Sequence, residues 1–230
     1  MAPRLRPALR ANPPGLVYER RHWAAGRRWV AGVDEVGRGA WAGPLTVGVV
    51  VLPQDRRIYK VRDSKLLNDA EREALFERIV DWCVAWSVGH ASPEECDLLG
   101  MSQAQRLAAA RALEGLSVRP EVVLLDGLWD FVGGAERIRG GDRVSLSVAA
   151  ASVVAKVTRD RIMRGAAQEF PAYNFEHNKG YPCPIHKAAL QGWGPSTIHR
   201  RSWAFMDGLI WRGVARRGPA GQLTLGGGHP

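Results

Sequence analysis

The 230-residue chain predicts an α/β fold built on a mixed sheet, on three observations. Short β-rich apolar runs alternate with stretches of helical periodicity. The first two runs are joined by a link too short for a crossover helix, so they pair antiparallel. The acidic residues with the most unusual neighbours fall where strands end.

Trp29–Val33 and Leu45–Leu52 are the first two strands, and the second is apolar at successive positions, as a strand buried on both faces would be. Asn68 opens a helix, with Glu71 three residues on completing a capping box, and Leu75, Phe76, Ile79, Val80 and Cys83 fall on one stripe. Val84–Val88 reads as a third strand. Ser102 and Gln105 form a second capping box ahead of an Ala-rich helix reaching about Leu116. Glu121–Leu125 is a fourth strand ending in Asp126-Gly127, and a weaker strand lies within 137–144. A long helix follows from about Ser147 to Gln168, and shorter ones cover Ala188–Gln191 and Ser202–Trp211.

Composition narrows the function classes. With 46% hydrophobic and 24% charged residues the chain is globular, which excludes bulk disorder. Cys83, Cys96 and Cys183 cannot all pair and form no C-x-x-C, which argues against a disulfide scaffold or a cysteine zinc site. The longest apolar runs, Leu45–Leu52 and Val148–Ala155, fall well short of the ~20 residues that span a bilayer, and no secretory signal is evident. A monomeric cytoplasmic protein is the expectation. The net charge of +9 is concentrated at the ends: residues 1–28 carry seven Arg against Glu19, and residues 200–230 five Arg against Asp207. Basic ends suit a polyanion partner or simply a solvated surface. Residues 1–27 are expected to be a basic flexible arm, 28–211 one catalytic domain, and the Gly-rich 212–230 a disordered tail.

Four carboxylates stand out. Asp34-Glu35 closes the first strand and runs into Gly37-Arg38-Gly39, and Asp126 closes the fourth. Asp160 shares a helical stripe with Ser152 and Lys156. Gathered in one cleft they would repel unless cations lay among them, and such hard oxygen ligands suit Mg²⁺ or Mn²⁺. Two such ions form a phosphoryl-transfer clamp. Strand neighbours point to opposite faces, so Asp34 and Glu35 share a site only if the backbone leaves strand geometry there. Taken singly, Asp126-Gly127 reads equally as a turn, and Asp160 as a surface partner of Lys156. Glycines flanking Arg38 suit close backbone approach to a phosphate ligand.

Longer strings go further. A-G-V-D-E-V-G-R-G-A-W-A-G-P at 31–44, D-S-K-L-L at 63–67, L-L-D-G at 124–127, A-A-A-S-V-V-A-K-V-T-R-D-R at 149–161, N-K-G-Y-P at 178–182 and H-R-R-S-W at 199–203 occur in order. Together they resemble ribonuclease HII, the prokaryotic type 2 ribonuclease H, over roughly residues 28–211. The resemblance implies a ribonuclease H-like five-stranded mixed sheet with flanking helices and a helical C-terminal segment. It implies a metal-dependent endonuclease that hydrolyses RNA in RNA/DNA hybrids and incises 5′ of single ribonucleotides in duplex DNA, leaving 5′-phosphate and 3′-hydroxyl ends. Asp34, Glu35, Asp126 and Asp160 would hold two Mn²⁺ or Mg²⁺ ions. Gly37, Arg38 and Gly39 would read the 2′-hydroxyl that distinguishes RNA from DNA. Tyr181 would pack on the following deoxyribose, and Lys65 and basic groups around Lys179 would contact phosphates. His186 and His199 are expected to be hydrogen-bonded structural residues. Asn178, Leu66 and Trp203 depart from the common pattern, the last two as packing changes. A noncatalytic hybrid binder of the same fold, or a related DNA nuclease, is the alternative.

Overall fold

The computed structural model describes residues 13–58, 61, 62 and 64–209. The start of the basic arm and the expected 212–230 tail lie outside the described residues. The stretch expected as one catalytic domain groups into two compact units. The first comprises the chain up to Val36, Thr46–His90 and Arg106–Thr158. The second comprises Gly37–Leu45, Ala91–Gln105 and the chain from Arg159 onward.

The sheet has five strands, β1 (Val30–Val36), β2 (Leu45–Val51), β3 (Ala85–Ala91), β4 (Val122–Asp126) and β5 (Glu136–Ile138), in the order β3-β2-β1-β4-β5. β1 pairs with β2 antiparallel and with β4 parallel, and β4 pairs with β5 parallel, so the sheet is mixed as expected. β2 is buried at every position, in keeping with its unbroken apolar run.

Helices α1 (Val17–Ala24), α2 (Asp69–Trp82), α3 (Pro93–Glu114), α4 (Gly141–Val144) and α5 (Leu146–Glu169) come next in chain order. α2 begins at the expected box: the Asn68 side chain accepts from the Glu71 N–H while the Glu71 carboxylate accepts from the Asn68 N–H. Its Leu75, Phe76 and Ile79 join Val50 and Leu52 of β2 and Leu146, Ala150, Val153, Val154 and Val157 of α5 in one core.

Glycines set how closely α5 approaches the strands. A Cβ on Gly32 would lie 2.1 Å from the Ser147 carbonyl carbon, and one on Gly48 would lie 2.7 Å from the Ala151 carbonyl oxygen. Directly paired residues of an antiparallel ladder share a sheet face. Gly48 pairs with Asp34 and Gly32 with Val50, so Asp34 stands on the face that α5 covers.

Two expectations change. The segment 17–24, taken as flexible arm, is α1: Glu19 is buried, its carboxylate accepting from the Ser145 and Ser147 hydroxyls and the Ser147 N–H, and His22 bonds Glu136 at 2.7 Å. Ahead of the helix expected from about Ser102, a further one starts at Pro93 behind a Ser92–Glu95 capping pair, and non-helical Gly100 at φ 74 separates the two within α3.

In the second unit, α6 (Phe175–Asn178), α7 (Pro184–Trp193) and a closing 3-10 turn at Ala204–Gly208 supply the helical C-terminal segment. The helix expected over Ser202–Trp211 is that short turn as far as it is described. Ala42, Met163, Tyr173, Phe175, Leu190 and Met206 form the core. His186 and His199 are buried beside it, structural as expected. The Ser196 N–H donates to His199 Nδ1, so the His199 proton sits on Nε2 and is donated to His186 Nε2. His186 then carries its proton on Nδ1 and donates to the Tyr181 carbonyl.

Gly32→Ala is expected to cost ~3 kcal/mol or more, because the clash is with helix backbone; a urea midpoint near wild type would refute this docking. Burial first, then the charges of His186 and Arg201, lower the His199 pKa to about 3, against about 6.5 unfolded. The folded value is depressed, so the neutral relay stabilises fully above about pH 6.5 and progressively less toward pH 3. His199→Gln should therefore flatten the dependence of the urea midpoint on pH between 7 and 4.

Candidate active site

β1 delivers Asp34 and β4, its parallel neighbour, delivers Asp126 at its C-terminal end. Asp34 is only 5% exposed. Its carboxyl is held well above the usual range, first by burial and then by the charges of Glu35, Asp126 and Asp142, while Lys65 opposes the shift. Asp126 is raised by burial and by Asp142, against the Gly141 N–H that donates to its Oδ1 at 2.6 Å.

The fourth carboxylate of this cluster is therefore Asp142, which sequence reasoning missed. It is 4% exposed in α4, with Gly140 in the left-handed region at φ 67 turning the chain between β5 and α5. The available signal was an acidic residue directly after two glycines, ahead of a long helix. Asp160, assigned that position from the resemblance, lies on the second unit's part of α5, 2% exposed, where its charge acts on the buried Arg159 guanidinium. Asp142 is the carboxylate whose charge raises both Asp34 and Asp126.

The D-S-K segment is positioned by a hydroxyl pair. Ser64 and Ser152 of α5 bond at 2.7 Å, and the following Lys65 donates to Asp142 Oδ2 at 3.3 Å from a side chain 71% exposed. Lys65, Asp126, Arg139, Gly140, Asp142 and Arg143 line a cleft of about 540 Å³.

β1 keeps its ladder through Asp34↔Gly48, Glu35↔Val47 and Val36↔Thr46. The expected departure from strand geometry comes only at Gly37, yet the charge of Glu35 acts on Asp34 more strongly than any other. Among the described residues no three His, Cys, Asp or Glu side chains stand spaced to hold one metal ion. The donor set is nonetheless one that a hard divalent cation fits: carboxylate oxygens, buried and mutually repelling.

In the second unit, Gly37 has φ 88 and donates its N–H to the Tyr181 hydroxyl at 2.9 Å. A Cβ there would lie 2.3 Å from Arg159 Nε, so the position admits only glycine. Arg38 and Gly39 are exposed, and a Cβ on Gly39 would meet nothing within 4 Å. Tyr181 lies over the Arg159 guanidinium at 5.2 Å.

Lys179 is not the phosphate contact expected: it is 6% exposed at φ 52, with its ammonium on the Glu176 carbonyl. Asn178 shapes the same turn, donating to the Tyr173 carbonyl and accepting from the Gly180 N–H. Trp203 packs against the second unit's core, whereas Leu66 is half exposed and fills no core position.

The family model for ribonuclease HII matches residues 31–206. The chain belongs to the ribonuclease HII family. Ribonuclease HII of Streptomyces avermitilis is 49% identical over 206 residues, covering 87% of this chain and 88% of that one, and the Streptomyces griseus protein is 51% identical over 205 residues, covering 86% and 87%. Among solved structures, ribonuclease H2 from Pyrococcus horikoshii aligns with a TM-score of 0.65 at 30% identity, covering 78% of this chain and 95% of that one. The fold is ribonuclease H-like. The chain is a metal-dependent endoribonuclease of the ribonuclease HII type, hydrolysing RNA in RNA/DNA hybrids and excising ribonucleotides by two-metal catalysis. Among the described residues no helix is long and apolar enough to cross a membrane.

Because the folded Asp34 carboxyl is raised, its ionisation opposes folding at neutral pH when no cation is bound. Asp34→Asn is expected to raise the metal-free Tm at pH 7.5, by ~2–4 °C for each kcal/mol relieved. It should also remove most of the further rise that Mn²⁺ gives the wild type. A metal-free Tm that falls would overturn the electrostatic account.

Proposed function

We propose that Asp34, Glu35, Asp126 and Asp142 hold the two divalent ions, Mn²⁺ or Mg²⁺, and that the chain incises 5′ of a ribonucleotide to leave 5′-phosphate and 3′-hydroxyl ends. The observation that carries this is the single buried cluster in which Asp142 bears on both Asp34 and Asp126. When bound, the ions supply a polarised phosphate and a water acidic enough to attack it. The protein's own part is to hold oxygen donors at fixed positions. β1 and β4 place Asp34 and Asp126, the Gly141 N–H orients Asp126, and the turn at Gly140-Gly141 places Asp142. Glu35 adds a charge from the next position of β1, the largest influence on Asp34 after burial.

Lys65 supplies the mobile cation of the cleft. Lys65 donates to Asp142 from an exposed side chain and would contact a substrate phosphate from there. Gly37, Arg38 and Gly39 read the 2′-hydroxyl through backbone groups, and Tyr181 packs on the neighbouring deoxyribose. The Gly37–Tyr181 hydrogen bond supports treating these residues as one recognition element. The substrates are RNA/DNA hybrids and duplex DNA carrying ribonucleotides.

The test is a DNA duplex with one embedded ribonucleotide, incubated with Mn²⁺ or Mg²⁺. Asp142→Asn is expected to lower kcat by at least ~10²-fold, equivalent to ~2.7 kcal/mol. Asp160→Asn should lower Tm while turnover per folded molecule stays within about tenfold. The reverse pattern restores Asp160 to the site and removes Asp142. Binding without turnover in the wild type points to the noncatalytic alternative, and cutting of all-DNA duplex to the DNA nuclease.

A further inference from the structure

Within the second unit, the segment that follows β1 is fastened from behind by two guanidinium groups, both fully buried. Arg159 donates through Nε to the Pro44 carbonyl at 2.8 Å, through Nη1 to the Lys179 carbonyl at 2.8 Å and through Nη2 to the Ala42 carbonyl at 3.0 Å. Arg200 donates through Nε to the Gly43 carbonyl and through Nη1 to the Arg38 carbonyl, both at 3.1 Å, and its own N–H holds the Trp41 carbonyl at 2.8 Å. Neither guanidinium has a carboxylate within salt-bridge distance among the described residues. Asp160 and Asp97 act on them only at longer range. Arg200 Nη2 is buried with no partner at all.

This is an expensive arrangement. Burying a cation without a paired anion opposes folding, and a buried donor left unmatched opposes it further. An apolar packing of equal volume would avoid both. What the arginines provide instead is direction. The Arg159 fork ties 42 and 44 to the distant Lys179 carbonyl, the Arg200 fork ties Arg38 to Gly43, and in a trans peptide the N–H points opposite to the carbonyl. Turning the Arg38 carbonyl onto Arg200 turns the Gly39 N–H to the other side, where the backbone is exposed. Arg159 ties the 42–44 strip to the Lys179 carbonyl and lies beneath the Tyr181 ring, whose hydroxyl accepts from Gly37. The N–H groups of Gly37, Ala40, Trp41, Ala42 and Gly43 all donate within the protein, so the exposed part of the segment is the Arg38-Gly39 backbone that the Arg38 carbonyl contact orients.

We propose that Arg159 and Arg200 are positioning residues for ribonucleotide discrimination, holding the 37–44 strip and Tyr181 in the one arrangement that reads a 2′-hydroxyl beside a deoxyribose. This rests on the reading of Gly37–Gly39 and Tyr181 given under the proposed function. It concerns residues that touch neither the substrate nor the carboxylates.

The experiment compares Arg200→Lys, Arg200→Met, Arg159→Lys and Tyr181→Ala, each with its Tm, on a duplex with one ribonucleotide and on the matched all-DNA duplex as competitor. Lys keeps the charge but cannot span two carbonyls. The expected result for Arg200→Lys and Arg200→Met alike is a rise in KM of about tenfold (~1.4 kcal/mol), with kcat changed less than threefold and the preference over all-DNA competitor reduced in proportion. Hydrogen exchange of the 37–44 amides should accelerate without substrate present. Full rescue by Lys would show that charge alone suffices and would overturn the positioning role. Retained discrimination in both Arg200 variants, with discrimination lost in Tyr181→Ala, overturns it while leaving the recognition reading intact. Retained discrimination in all four overturns both. If Arg159→Lys does not fold, the Arg200 pair, which leaves the Arg159 fork in place, still decides.

Discussion

Packing like charges into a place with little water is the constraint around which the first unit is built. Asp34 stands opposite Gly48 on the face of the sheet that α5 covers, and α5 can lie that close only because Gly32 and Gly48 present no side chains to its backbone. The same close packing that creates the core therefore strips solvent from the carboxylate. Asp126 arrives on the adjacent parallel strand, and Asp142 arrives through a turn that a left-handed glycine permits. Nothing in the hydrophobic core requires these three acids to be neighbours. Their proximity raises the free energy of the fold, a cost that cations held as proposed would offset. Lys65 offsets part of it meanwhile, and the Ser64–Ser152 bond is what carries Lys65 to the cluster.

The second unit meets the opposite problem with the opposite sign. Its buried charges are the guanidinium groups of Arg159 and Arg200, and they are matched to backbone carbonyl dipoles rather than to carboxylates. Such an arrangement keeps a net positive charge beneath the strip while fixing its shape. Clustered carboxylates and carbonyls gathered on cations serve different ends: the first suits hard divalent ions, the second fixes backbone direction.

Much of this was legible in the sequence. The unbroken apolar run of Leu45–Leu52 marked a fully buried strand, the short link before it required antiparallel pairing, and Asn68 with Glu71 fixed the start of α2. Asp34 and Asp126 were visible because strand ends announce themselves by a change of residue type. What escaped were features set by contacts distant in the chain. α1 looked like part of an Arg- and Pro-rich arm because its one decisive residue, Glu19, is anchored by serines more than a hundred positions away. The helical stretch from Pro93 to Gly100 was missed, because it precedes the Ser102 box and ends at a glycine. Lys179 read as part of a phosphate-contacting basic group because no local pattern shows that its ammonium folds back onto the Glu176 carbonyl.

The exchange of Asp160 for Asp142 has a more general cause. The spacing of Ser152, Lys156 and Asp160 establishes that they share a stripe of one helix, and a stripe fixes relative direction without fixing what it faces. At Ser152 the stripe meets Ser64; one residue before Asp160 the helix commits a buried arginine to three carbonyls, and the charge of Asp160 bears on that cation. Asp142 has no stripe to advertise it. It belongs to a four-residue helix between two longer elements, and its placement follows from the left-handed turn at Gly140 and from the Gly141 N–H that binds Asp126. A Cβ on Gly141 would come 3.4 Å from the Asp126 Cα, so the chain bearing Asp142 passes at contact distance behind the strand end. The residue that completes the cluster is thus specified by backbone geometry, and side-chain periodicity carries no information about it.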